Sequence, residues 1–163
     1  MLERTPSILR AQLYGVSQSW TRSNEGPDTW SPHDVVAHLI HGEHADWIPR
    51  ARIILAGDEH STFTPFDREG GFAEARGTPL NALVETFGTL REANLETLDG
   101  FRLTERHLAM AARHPKFGRV TMRQLLATWV VHDLNHIVQI NRVMAKQYDA
   151  EVGPWKEFLG VLQ

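Results

Sequence analysis

Apolar residues recur at three- and four-residue intervals along most of this chain, and polar breaks divide the pattern into four long segments. In the first, Ile8, Leu9, Leu13, Val16 and Trp20 share one face, which predicts a helix from about Thr5 to Ser23. Asn24-Glu25-Gly26-Pro27-Asp28 breaks it. The second segment opens at Ser31-Pro32, an N-cap residue followed by proline at the first helical position. Asp34 adds a carboxylate in the first turn, where the helix dipole favours it. This helix is predicted to reach about Leu55, with a kink at Pro49, which lacks an N–H donor and crowds the preceding turn. The third begins at Thr78-Pro79 and carries Leu80, Leu83, Val84, Phe87, Leu90, Leu95 and Leu98. Thr121 caps the fourth, which extends to about Tyr148. Shorter features are a helical turn around Glu105 to Ala111, a turn at His114-Pro115-Lys116-Phe117-Gly118 and a terminal helix from Trp155 to Leu162. Residues 58–77 form an irregular crossover, and its Phe63, Phe66 and Phe72 predict that it packs down. No segment alternates like a half-buried strand. The pattern predicts an all-α class, a four-helix bundle, built as one domain over residues 1–163.

The fourth helix carries the candidate chemistry. At roughly 100° per residue, Leu125, Trp129, His132, His136, Gln139 and Val143 fall on one stripe. Leu126, Val130, Ile137 and Met144 cover a second flank. His132 and His136 stand at i and i+4, the spacing at which one helix offers two nitrogens to one metal ion. The same spacing also suits two core histidines satisfied by hydrogen bonds. On the second helix His38 lies between Ala37 and Leu39, and Gly42 leaves space one turn beyond it. His38, His132 and His136 together would supply three imidazoles and leave coordination positions open, as in a catalytic metal site. His41 borders the His38 stripe and is the reserve ligand. His33 in the first turn and His44 opposite Leu39 are poorer candidates, and His60 and His107 read as surface or loop residues. His132-Asp133-Leu134-Asn135-His136 is also similar to the metalloprotease motif His-Glu-x-x-His. The shorter Asp133 in place of Glu, and the lack of a downstream histidine, argue against a protease.

Composition narrows the setting. The 163 residues are enough for one hydrophobic core, with 42% hydrophobic residues. A net charge of −3 gives no nucleic-acid-binding footprint. No apolar run reaches the roughly 18 residues of a membrane span. Met1-Leu2-Glu3-Arg4 lacks a signal-peptide pattern, so the cytoplasm is the expected compartment. The absence of cysteine excludes disulfides, a Cys nucleophile and thiolate ligands, so a metal would be held by His, carboxylate or water. Zinc or nickel suits such a site.

Other positions admit two readings each. Glu43 and Arg50, seven residues apart, read as a partly buried ion pair, or Glu43 as a general base or metal-site partner. His41 is the other candidate proton carrier. Asp133 reads as a hydrogen-bond partner of the site or a helix–helix contact. Gln139 is placed to bond a metal-bound water or simply to pack. Trp30, Phe63, Phe66 and Trp129 would wall a pocket or fill core. Arg102, Arg106, Arg113, Lys116 and Arg119 form a basic region able to attract an anionic substrate. The doubly apolar fourth helix, with Trp155, Phe158 and Leu159, predicts a homodimer.

Trp30-Ser31-Pro32 leading into Val35-Val36-Ala37-His38-Leu39, with Gly42-Glu43, Asp46-Trp47, Phe66-Asp67-Arg68, His114-Pro115, His132-Asp133-Leu134-Asn135-His136-Ile137-Val138-Gln139-Ile140 and Gly153-Pro154-Trp155, resembles the DinB/YfiT-like superfamily of metal-dependent enzymes over nearly the whole chain. The resemblance implies up-down-down-up connectivity with a long crossover between the second and third helices. It implies His38, His132 and His136 as ligands of a divalent ion such as zinc or nickel, and a dimeric state. It also implies a small-molecule reaction, thiol-dependent S-transfer or thiol-dependent isomerisation, with a low-molecular-weight thiol such as bacillithiol or mycothiol as cosubstrate. The three-histidine site by itself suits a metal-dependent transferase or hydrolase that activates a bound thiol or water. The alternative is a non-catalytic binding or stress-response protein in which the metal is a structural clip.

Overall fold

The computed structural model describes residues 1–163. After a 3₁₀ turn over Leu2–Arg4 come the helices α1 (Thr5–Leu13), α2 (Gln18–Thr21), α3 (Pro32–Ala45), α4 (Trp47–Leu55), α5 (Phe72–Ala75), α6 (Leu80–Gly100), α7 (Glu105–Ala109) and α8 (Met122–Lys146). A hairpin of β1 (Ala111–His114) and β2 (Gly118–Thr121) precedes α8, and 3₁₀ turns over Gly153–Phe158 and Gly160–Leu162 end the chain. The long elements make a four-helix bundle: α6 packs on α1 and α3, and α8 packs on α3 and α4. No helix is long and apolar enough to cross a membrane.

The caps read from sequence form as expected. Ser31 Oγ accepts the Asp34 N–H while Asp34 accepts the Ser31 N–H, closing the first turn of α3 on both sides. Thr121 and Gln124 close α8 in the same way.

The terminal helix expected from Trp155 to Leu162 is instead two 3₁₀ turns, and three further elements differ from the sequence reading. The first segment is not continuous to Ser23: α1 stops at Leu13, Gly15 takes a φ of 71°, and Ser17 restarts the chain as α2. The second segment does not bend at Pro49 but breaks at Asp46, where φ is −111° and ψ −70°. Pro49 has no N–H for the Ala45 carbonyl and its ring would strike it. The helix therefore ends one turn earlier, leaving Pro49 in the first turn of α4, where no donor is required. The hairpin was not legible because Ala111 and Ala112 are both buried, so the strand shows no alternation. Its register pairs Ala112 with Val120, and the crossover docks on it through Phe63 N–H to the Arg113 carbonyl (2.9 Å) and Arg113 N–H to the Ser61 carbonyl (2.8 Å).

The crossover packs down as its phenylalanines predict. Phe63 is buried, and Phe72 meets Trp30 edge-on at 5.2 Å. Gly71 lies directly on α3: a Cβ there would fall 2.7 Å from the Ala37 carbonyl oxygen. The loop is thereby pressed against the helix that carries His38.

Two apolar clusters fill the bundle. One gathers Leu9, Leu13, Val35, Val36, Leu39, Val84, Phe87 and Ile140. The other gathers Trp47, Ile48, Ile54, Phe63, Met122, Leu125 and Trp129. Three of the helices also turn polar residues inward: His38 and Glu43 from α3, Arg91 from α6, and His132, Asp133 and His136 from α8. The bundle thus carries a polar belt across its middle.

Candidate metal centre

Within this belt the Nε2 atom of His132 lies 3.0 Å from His38 Nε2 and 3.1 Å from His136 Nε2. One donor atom from each residue lies within 4.8 Å of the others, and no carboxylate joins the group. Helix geometry brings them together: His132 and His136 are stacked one turn apart on α8, and α3 packs against α8 with His38 inward.

Outer contacts fix which nitrogen faces inward. His38 Nδ1 donates to the Arg68 carbonyl at 2.8 Å, which leaves the lone pair on Nε2. His136 Nδ1 donates to Gln139 Oε1 at 2.8 Å, with the same result. His132 Nδ1 is buried without a partner. Two acceptor nitrogens therefore point at the Nε2 of His132, which has one proton at most to offer them.

The electrostatics keep these rings neutral. Burial, partly offset by the Arg68 carbonyl, lowers His38 to about 4. Burial, reinforced by the neighbouring His136 and His38, lowers His132 to about 2. His136 is also lowered, chiefly by burial. Neutral imidazoles with inward lone pairs are what a divalent ion binds. At a metal–nitrogen distance of about 2.0–2.1 Å, neighbouring ligand atoms lie about 2.9–3.4 Å apart. The two short Nε2 separations suit that spacing, so the residues fit a metal ion.

One side of the cluster opens on a cavity of about 620 Å³. His38, His132 and His136 lie on its wall, with Trp47, Phe63 and Phe66 supplying aromatic surface. Trp47 meets His132 edge-on at 5.1 Å and stacks on the buried Trp129 at 5.5 Å. Trp30 lies over the rings of His38 (4.8 Å) and His136 (6.1 Å). Of the four aromatics expected as pocket walls, Phe63 and Phe66 line the cavity, Trp30 backs the histidines, and Trp129 is core. The space expected beyond Gly42 is filled: a Cβ on Gly42 would lie 3.4 Å from the Trp47 indole nitrogen.

Glu43 is almost fully buried and faces away from this cavity. One carboxylate oxygen accepts Arg91 at 2.8 and 3.2 Å, and the other accepts Asn94 at 2.9 Å. Its ionic partner is Arg91, not Arg50. Arg91 also reaches Asp133 at 2.5 and 3.0 Å, and Thr5 Oγ1 donates to Asp133 at 2.6 Å. Asp133 is therefore a helix–helix contact. Burial weakens the charged form of Arg91, but Asp133 and Glu43 more than compensate and raise its pKa. His41 packs on Phe66 at 5.0 Å and against Gly70, and is not part of the cavity wall. His33 bonds the Thr78 carbonyl at 2.9 Å, and His44 is exposed.

Four residues named in the sequence only as part of the resemblance, with no role assigned, belong to the site. Asp46 lines the cavity, with Arg50 Nε 2.6 Å from its Oδ1. The N–H is not aimed at that oxygen, which has no hydrogen bond, so the contact is coulombic. Burial, outweighing Arg50, raises Asp46 to about 6. Arg68, Trp47 and His114 are also on the wall. Of the basic group predicted around the fourth helix, only Lys116 reaches it.

The solved structure of YfiT from Bacillus subtilis, described as a probable metal-dependent hydrolase with an unusual four-helix bundle topology, superposes with a TM-score of 0.76 at 20% identity, over 90% of this chain and 83% of that one. No curated protein matches the sequence. The family match runs over residues 1–140, and the chain belongs to the DinB superfamily.

Proposed function

We propose that this protein is a divalent-metal-dependent hydrolase of small molecules, with His38, His132 and His136 as the ligands of zinc or nickel. The observation that carries the reading is the convergence of three neutral imidazoles on one point beside an open cavity. A bound ion would supply a Lewis acid that lowers the pKa of a water or thiol toward neutrality. The chain's own residues do the rest. Arg68 and Gln139 hold two rings with Nε2 inward. Trp47, Phe63 and Phe66 offer an apolar wall to a substrate. Asp46, on the same wall and with a near-neutral pKa, is suited to carry a proton. It serves this role better than Glu43, whose oxygens are taken by Arg91 and Asn94, or His41, which lies outside the cavity.

A structural clip would need a fourth protein ligand, and the cluster offers only three. A thiol as the nucleophile is the second reading. The cavity has room for a cosubstrate beside a small electrophile, and with no cysteine in the chain the sulfur would have to come from that cosubstrate. Zinc- or nickel-loaded protein is screened against simple esters and amides, then against electrophiles with a panel of low-molecular-weight thiols. Turnover that requires both the metal and His132 supports the proposal; turnover indifferent to His132→Ala rejects it.

The reading includes a homodimer. Val131, Leu134 and Val138 form an exposed apolar stripe on α8, and Trp155 and Phe158 are 71% and 76% exposed. A monomeric mass by light scattering at micromolar concentration would contradict it.

A further inference from the structure

The cavity over the histidines is positively charged in a protein whose net charge is −3. Its wall carries three cationic side chains, Arg50, Arg68 and Lys116, and a single carboxylate, Asp46. Asp46 is taken by Arg50, so Arg68 and Lys116 remain as surplus charge. Neither is in an ion pair. The Arg68 guanidinium lies over the Trp30 ring at 5.2 Å, and the Lys116 ammonium over Phe117 at 5.8 Å. The acids beside Arg68 do not cancel it within the cavity: Asp67 Oδ1 accepts the Glu69 N–H at 3.0 Å, and neither residue is on the wall. A separate groove between α1 and α6, of about 700 Å³, has the opposite character: its Arg10 is paired with Glu85 and its Arg91 with the buried Glu43 and Asp133, which leaves Glu3, Glu92, Glu96 and Asp99 as surplus charge. Charge is thus sorted between the two concavities, which favours delivery of anions to the histidine side.

The ligand set adds to this. Three neutral imidazoles bring no negative charge, unlike a site with a carboxylate ligand. A divalent ion there would keep its full charge facing the cavity. The remaining wall combines apolar Trp47, Phe63, Phe66, Phe117, Val120 and Leu125 with neutral polar side chains such as Gln124, Thr128 and Asn135.

Resting on the reading of this cavity as the substrate site, we propose that its substrate is an organic anion: a carboxylate or phosphate monoester carried on an apolar body. Arg68 and Lys116 receive the charged end, and the phenylalanines receive the body. A planar guanidinium held against an aromatic face suits either anion, because its N–H groups match both geometries.

The test is equilibrium binding to metal-free protein, kept in EDTA so that the side chains alone are read. The probes are 4-phenylbutyrate and phenyl phosphate, with 4-phenylbutanamide as the neutral isostere and 4-phenylbutylamine as the cationic one. Amide shifts in NMR titrations report affinity and place the probe. At least one anion should bind about tenfold or more tightly than the amide and amine, and added salt should weaken it. Arg68→Gln combined with Lys116→Gln should remove most of that preference. Arg106→Gln, whose side chain lies off this wall, should not. Both changed side chains are exposed, so the variants should fold. Equal binding of amide and anion, or an unchanged preference in the double variant, would overturn the proposal. Zinc uptake is measured on separate samples. Its failure would sink the metal reading while leaving the anion preference to stand or fall alone.

Discussion

His132 and Asp133 are consecutive on α8, yet they serve two buried polar clusters of opposite design. Asp133 joins Glu43 and Arg91, with Thr5 and Asn94 filling further positions. There each charge meets its opposite, and the cluster ties α1, α3, α6 and α8 together. His132 joins His38 and His136, where three inward nitrogens share at most one proton and one ring nitrogen has no partner. Both lie within the bundle, although His132 is only partly buried. What differs is completeness. The closed cluster is satisfied by the chain itself and serves the fold. The open one is a set of like groups held together against desolvation, which is useful only if something else binds there.

Breaking the closed cluster should have the largest effect on stability. Arg91→Met leaves two buried carboxylates unpaired and should cost about 3–5 kcal/mol in urea unfolding; a loss under about 1 kcal/mol would show that the cluster is not closed. Completing the open cluster comes next. Free zinc at about 100 times its dissociation constant should stabilise the protein by about 2.7 kcal/mol, and His132→Ala should abolish that gain without a comparable loss in the metal-free state.

Acid should then separate the two. In the unfolded chain imidazoles titrate near 6.5, whereas folded His38 titrates at about 4 and His132 at about 2. Between those values the unfolded chain holds more protons, so the metal-free protein loses stability as pH falls from 6.5 toward 4. Each such histidine contributes about 1.4 kcal/mol per pH unit. Asp46, raised to about 6, works in the opposite direction between 6 and 3.8, so Asp46→Asn should steepen the loss. A urea midpoint unchanged between pH 7 and 5 in that variant would contradict the neutral-histidine description. The smallest effect is that of Thr5→Val, which removes one bond to Asp133 and should cost about 1 kcal/mol while leaving metal uptake intact.

The open cluster was the more legible of the two. His132 and His136 declare themselves by spacing on a single apolar helix, and His38 by its place between Ala37 and Leu39. The closed cluster depended on pairing across helices. Arg91 follows Val84 and Phe87 on the apolar stripe of α6, so a charged residue at a core position was visible in the sequence. Its partners were not, because Arg50 offered Glu43 a nearer partner along the chain. Asp46 was hidden for a related reason: it lines the cavity only because Pro49 breaks the helix there. Arg68 and His114 lie in a crossover and a hairpin whose positions are set by docking on α3 and on each other, and no periodicity records that.

The most direct test of the account is metal stoichiometry after equilibrium dialysis against zinc and against nickel. The account predicts one ion per chain for the wild type and for His41→Ala, and loss of that ion in each of His38→Ala, His132→Ala and His136→Ala. Stoichiometric metal retained in any of those three variants would contradict it.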